Sequence, residues 1–171
     1  MLATGATLGC IAIVFVFWYR MHFAMDPAQS LEVAGAASGA RVLIATQGSD
    51  FKNALTAALV EHLKHRSAHL KVIDVSALDR VDETEWDVMV LIHTWEMRKP
   101  PPSVKAFIDG SKAPEKLVVL TTSGAGDFKL PGVDAISTAS RMTDVAARTN
   151  DIARRIDAIL DANSFGATVS P

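Results

Sequence analysis

The stretch from Trp86 to Asp109, WDVMVLIHTWEMRKPPPSVKAFID, narrows the possible folds more than any other part of the chain. After Asp87 comes an unbroken apolar run, Val88-Met89-Val90-Leu91-Ile92, which stops at His93-Thr94-Trp95. A charged loop, three prolines and an apolar-spaced segment (Val104, Ala106, Phe107, Ile108) follow. A short continuous apolar run is the pattern of a strand buried on both faces, as in a parallel sheet. Prolines cost little at the entry of a helix, because the first helical amides lack partners in any case. The order is therefore strand, loop, helix, with the loop at the carboxyl end of a central strand. Open α/β sheets bind ligands at that rim.

The same grammar recurs on both sides. Arg41 to Thr46 reads as a first buried strand, Gln47 to Asp50 as a turn, and Phe51 to Arg66 as a helix with Leu55, Ala58, Leu59 and Leu63 on one face. Leu70 to Val75 is a second strand, and the acidic segment Ser76 to Trp86 is too short for a long helix. Leu117 to Thr122 is a fourth strand, followed by a loop of small residues, Ser123-Gly-Ala-Gly-Asp127, and a short fifth strand at Val133 to Ile136. Thr143 to Ala162 closes the domain as a helix with Val145, Ile152, Ile156, Ile159 and Leu160 inward. Strands alternating with helices imply parallel pairing and right-handed crossovers.

A chain of 171 residues with 49% hydrophobic content has room for one domain, here residues 41–163, and a short tail at 164–171. A net charge of −2 gives no electrostatic case for nucleic acid, and the single cysteine, Cys10, excludes an internal disulfide or a CxxC metal site. Residues 1–24 read as a transmembrane anchor. No charge occurs between Leu2 and Tyr19, and roughly 18–20 apolar residues suffice to cross a bilayer as a helix. Trp18 and Tyr19 stand at the headgroup level and Arg20 follows at once, which by the positive-inside rule places the domain on the cytoplasmic side of a single-pass membrane protein. A cleaved signal peptide is the rival reading, with Ala34 to Ser38 as its cleavage region; the basic residues that normally precede the apolar run are missing. Residues 25–40, small and polar, read as a flexible linker.

Over most of Arg41 to Leu160 the chain resembles the flavodoxin-like family. The resemblance rests above all on the Asp87 strand, the His93-Thr94-Trp95 break, the proline cluster and the apolar helix after it. It implies a three-layer sandwich around a five-stranded parallel sheet of order 2-1-3-4-5, and a site for FMN at three loops. The family's phosphate loop corresponds to Thr46-Gln47-Gly48-Ser49-Asp50-Phe51, with Asn53 as a further donor. Amides at a helix start, together with small hydroxyls, suit a phosphate. Asp50 brings a negative charge to that place, and a plain helix cap accounts for the same residues without a ligand. The resemblance places Thr94 and Trp95 beside the flavin ring, with Met97 as the other candidate for the stacking side chain, and Thr122, Ser123, Gly124 and Asp127 along the ring's edge. Turn chemistry explains the glycines of that last loop equally well.

His62, His65 and His69 have a spacing that invites a metal reading, but Lys64 and Arg66 interleave and no other ligand lies near in sequence, so they read as a solvated helix end. Arg98 and Lys99 depart from the acidic surface of soluble flavodoxins; they stabilise a reduced flavin, dock an acidic partner, or stand as solvated charges. No Ser-His-Asp or Cys-His nucleophile can be assembled, so no catalytic residue and no metal ligand is assigned, and any chemistry belongs to a bound flavin. Two functions follow. One is FMN-dependent electron transfer, as a carrier or small oxidoreductase, to or from a membrane-associated redox partner. The other is a flavin-free flavodoxin-like accessory or scaffold subunit of a membrane complex.

Overall fold

Alternate residues of each central strand face opposite sides of the sheet, and both sides are apolar, so the sheet has to be covered twice. The computed structural model describes residues 26–36, 39–96, 99–126 and 132–167. Its strands are β1 (Asp26–Pro27), β2 (Leu31–Val33), β3 (Arg41–Gly48), β4 (His69–Asp74), β5 (Val88–Thr94), β6 (Leu117–Thr122) and β7 (Asp134–Thr138). Its helices are α1 (Asp50–Lys64), α2 (Pro102–Gly110) and α3 (Val145–Ala167). Val42, Ile44, Val88, Val90, Ile92, Val118 and Leu120 pack under α1 and α3. Leu43, Ala45, Met89, Leu91, Leu117 and Val119 pack on the other face, with Val104 of α2 and with Val75, Leu78 and Trp86 of the 75–86 connection. That connection forms two short 3-10 turns, Val75–Arg80 and Glu83–Glu85, in place of a long helix.

The central five strands run β4-β3-β5-β6-β7, all parallel, which is the expected order 2-1-3-4-5. The sheet itself has seven strands and not five. The two extra strands come from the segment read as a linker. Leu31–Val33 pairs antiparallel with Val72–Leu70, and Asp26–Pro27 pairs antiparallel with Gly48–Gln47. Small polar residues carry little hydrophobic signal, and an exposed antiparallel edge needs only backbone pairing. Ala28 N also donates to Asp74 Oδ2 at 2.8 Å, which ties the segment down between its two strands. Burial would raise the Asp74 pKa, but hydrogen bonds from Ser76 and Ala28 outweigh it and hold the carboxyl below its usual range.

The expected membrane anchor at 1–24 lies outside the described residues, and among these no helix is long and apolar enough to cross a membrane. Of the three histidines His65 is exposed, while His62 and His69 are half-buried and engaged. His62 Nε2 lies 3.1 Å from Asp157 Oδ2, and Arg66 reaches Asp157 at 2.5 Å and Asp161 at 2.6 Å, so this end of α1 is clipped to α3. His69 stacks on Trp86 at 6.1 Å between ring centroids, and the Arg41 guanidinium lies 5.1 Å from the centre of the same indole.

Candidate functional site

The first candidate loop is shorter than its sequence implies. β3 continues through Gln47 and Gly48, and only Ser49 separates it from α1. Ser49 caps the helix: its Oγ accepts from Lys52 N at 3.3 Å, and its carbonyl accepts from Asn53 N at 2.7 Å. A Cβ built on Gly48 would meet the Asp26 carbonyl oxygen at 2.6 Å, so glycine is what lets β1 lie against the strand end. Between residues 26–31 and the flank of α1 runs a groove of about 680 Å³ that takes in Thr46, Gly48, Ser49, Asp50 and Asn53. Its charged lining is acidic: Asp26, Asp50 and Glu61 against Lys64, whose Nζ is 3.0 Å from Glu61.

The second and third loops meet each other, and Gln47 joins them to the first. Thr94 Oγ1 and Thr122 Oγ1 share a 2.8 Å hydrogen bond, and Trp95 N donates to Thr122 O at 2.8 Å. The buried Gln47 side chain accepts from Thr94 N at 2.7 Å and donates from Nε2 to Glu96 at 3.5 Å. Ser123 N donates to Thr138 O at 3.2 Å, while Ser123 Oγ accepts from Gly126 N at 2.8 Å. The candidates therefore fall into two groups. Gln47, Thr94, Trp95, Thr122, Ser123 and Gly124 lie on the carboxyl rim, while Thr46, Gly48, Ser49, Asp50 and Asn53 line the α1 groove. Asp127, Met97 and Arg98 lie outside the described residues. Lys99 is exposed, its backbone paired with that of Glu96 at 2.9 Å in both directions.

No family model matches the chain, and no curated protein sequence matches it. Solved structures do. A flavodiiron core from Synechocystis aligns with a TM-score of 0.51 at 8% identity over 75% of this chain, which spans 38% of that protein. The fold is flavodoxin-like. An oxidoreductase from Corynebacterium diphtheriae aligns at 14% identity over 73% of this chain and 99% of its own, with a TM-score of 0.46. A WrbA-like flavodoxin from Agrobacterium tumefaciens does so at 16% identity over 71% and 98%, with a TM-score of 0.42.

FMN, the cofactor that a flavodoxin-like fold implies, has two ends to accommodate. The phosphate end does not suit the groove beside α1. A dianion there would face the carboxylates of Asp26 and Asp50, and like charges a few ångströms apart repel by about 1 kcal/mol in water and more where the site is drier. The ring end fares better. Half-buried Trp95 offers an aromatic surface, Gly124 and Ala125 are exposed on the loop that follows β6, and the partly exposed Thr94 stands on the same rim, while Thr122 and Ser123 are buried.

Two rim residues escaped the sequence reading. Lys52 is 1% exposed although charged, and His93 is fully buried. Burial lowers the Lys52 pKa to about 8 against a raising attraction from Glu96. His93 is lowered to about 4 by burial, against a contact from its Nδ1 to Thr94 O at 3.4 Å, with the Lys52 charge lowering it further. Its Nε2 is buried with no hydrogen-bond partner among the described residues. Both positions were in phase with apolar neighbours: Lys52 precedes Leu55 and Leu59 on the inward face of α1, and His93 follows Met89 and Leu91.

Proposed function

We propose that this flavodoxin-like domain serves flavin-linked electron transfer and holds the flavin chiefly by its ring, not its phosphate. The observation that carries the reading is the rim across β5 and β6, where Trp95 and Thr94 are tied to Thr122 beside a loop of small residues. Trp95 would cover one face of the ring, and Thr94 with the exposed backbone of Gly124 and Ala125 would address its polar edge or its ribityl hydroxyls. A bound flavin supplies one- and two-electron chemistry; the chain supplies position, exclusion of water and local charge. The neutral imidazole of His93 and the ammonium of Lys52 set the polarity beneath that rim.

The test compares FMN with riboflavin. Purified full-length protein in detergent, titrated with each and followed by flavin absorbance and fluorescence, should bind the two within about threefold of each other, since the phosphate end gains nothing. Asp50→Thr should then tighten FMN by about tenfold and leave riboflavin unchanged, because a repulsive charge is removed and a donor added. Much tighter binding of FMN than riboflavin by the natural chain would place the phosphate elsewhere. Colourless protein that takes up neither flavin would remove this reading. It would leave the accessory module, which the acidic groove and the segment across Gly48 favour.

The partner we propose is a membrane-associated redox protein, reached from a tether in residues 2–19 with the domain on the cytoplasmic side; Arg20 after the apolar run motivates that orientation. Protease added to intact cells should leave the domain uncut, and digestion from outside would overturn the placement.

A further inference from the structure

The segment that leads into the domain is pinned at one end of the sheet. Asp26 and Pro27 pair with Gly48 and Gln47, the last residues of β3, and Ala28 N donates to Asp74 Oδ2, at the end of β4, at 2.8 Å. The five central strands are parallel, so both strand ends belong to the carboxyl rim. Gln47 carries the connection on to the candidate flavin rim, because its side chain accepts from Thr94 N at 2.7 Å on the neighbouring strand. Adjacent strands lie about 4.8 Å apart, so the chain enters the domain one strand away from Trp95.

Little chain is left before this point. The stretch from 26 to 33, read as linker, is paired with β3 and β4 instead, so only residues 20–25 separate the apolar run from β1. The steps from Tyr19 to Asp26 reach at most about 25 Å when fully extended. In the tether reading Trp18 and Tyr19 stand at the headgroups, and about 5 Å of that reach is spent leaving the lipid layer. β3 alone, Arg41 to Gly48, is about 23 Å long. A tether fixed at the carboxyl rim therefore cannot run the height of the sheet and let the amino rim rest on the bilayer. The side chains agree. Among the described residues, the large hydrophobic side chains left exposed are Leu31 and Met142. Leu31 pairs with Val72, two residues before the end of β4, and Met142 lies in the turn between β7 and α3. Both stand at the carboxyl end, on opposite edges of the sheet, with half-buried Trp95 between them. Charge does not set the orientation, since exposed Lys99 and Arg141 stand among Asp26, Asp50, Glu96 and Asp144.

We propose that the carboxyl rim of the sheet is held against the bilayer surface, so that Trp95 and its neighbouring loops open toward the membrane plane. The proposal rests on the tether in residues 2–19, which lie outside the described residues, and not on a bound flavin. A partner that meets the Trp95 rim then approaches along the membrane, as a membrane-embedded protein does. A carrier free in solution finds that rim shielded.

The test places a fluorescent label on one rim or the other of the full-length protein in phosphatidylcholine vesicles. Cys10→Ala removes the natural thiol. Ser140→Cys, just after β7, then labels the carboxyl rim, and Glu115→Cys, just before β6, labels the amino rim; both positions are exposed. Gln29→Cys and Lys112→Cys repeat the comparison at two further exposed positions, should either of the first variants fail to fold. Lipids that carry a nitroxide on the headgroup quench labels near the bilayer surface. Quenching at position 140 is expected to be at least about threefold stronger than at 115, since a strand length separates the two rims. Equal quenching, or stronger quenching at 115, overturns the orientation. Flotation of the unlabelled chain with the vesicles checks the tether separately. A chain that fails to float removes the tether and this proposal together, whereas a floating chain with reversed quenching loses the orientation alone. Neither measurement needs flavin, so the electron-transfer reading stands or falls on its own titration.

Discussion

Between pH 6.5 and pH 4 the domain should lose about 3 kcal/mol of stability through His93 alone. His93 is fully buried at the end of β5, and burial disfavours the imidazolium strongly enough to lower its pKa from 6.5 to about 4. The contact to Thr94 O opposes that shift, and the positive charge of Lys52 adds to it. Above pH 6.5 both folded and unfolded chains carry a neutral imidazole, and the full stability is present. As pH falls from 6.5 the unfolded chain takes up a proton that the folded one refuses, so stability drops until about pH 4, where both are protonated. Carboxylates titrate in the lower part of this window, so a difference measurement is required. Urea unfolding of the natural chain and of His93→Leu, similar in volume and unable to ionise, should give stability curves that diverge as pH falls from 6.5 to 4. Curves that stay parallel across that range would show that the imidazole has access to water or a partner when protonated.

His93 also shows how far the sequence could be read. The run Val88 to Ile92 announced a buried strand, and the alternation of its neighbours placed that strand at the centre of a parallel sheet. Such patterns are repeated over many residues, so they survive single exceptions. The strand order came from the flavodoxin-like resemblance, since hydrophobic patterns say which segments are strands and not which ones pair. The site was legible only as far as topology carries it: Thr94, Trp95 and Thr122 do meet at the carboxyl rim. What the sequence hid were contacts between distant segments. Asp26 is 22 positions before Gly48 and signals nothing by itself, yet its backbone closes the strand end where a phosphate loop was expected.

Replacing Lys52 by methionine should stabilise the domain at neutral pH by as much as about 3 kcal/mol, an unusual gain for a single substitution. Lys52 is 1% exposed, and burial lowers its pKa from 10.5 to about 8 even though the charge of Glu96 pulls the other way. At pH 7 the folded chain therefore keeps a proton on a group that the unfolded chain holds more comfortably in water. Methionine fills a similar volume without that desolvation cost, and replacing buried charges by well-packed apolar groups is often neutral or stabilising. The linkage fixes the shape of the effect. Between pH 8 and pH 10.5 the natural chain should gain stability, because its folded form gives up the proton before the unfolded one does. The advantage of Lys52→Met should accordingly shrink over those pH values and level off above 10.5. A variant less stable than the natural chain at pH 7 would mean that contacts of the ammonium outweigh its desolvation. A lysine kept at such cost beside Gln47, His93 and Glu96, at the rim where α/β sheets take their ligands, is placed as functional groups are. If the rim holds flavin as proposed, the same variant should bind it more weakly while unfolding at higher urea, a pairing that loss of structure cannot produce.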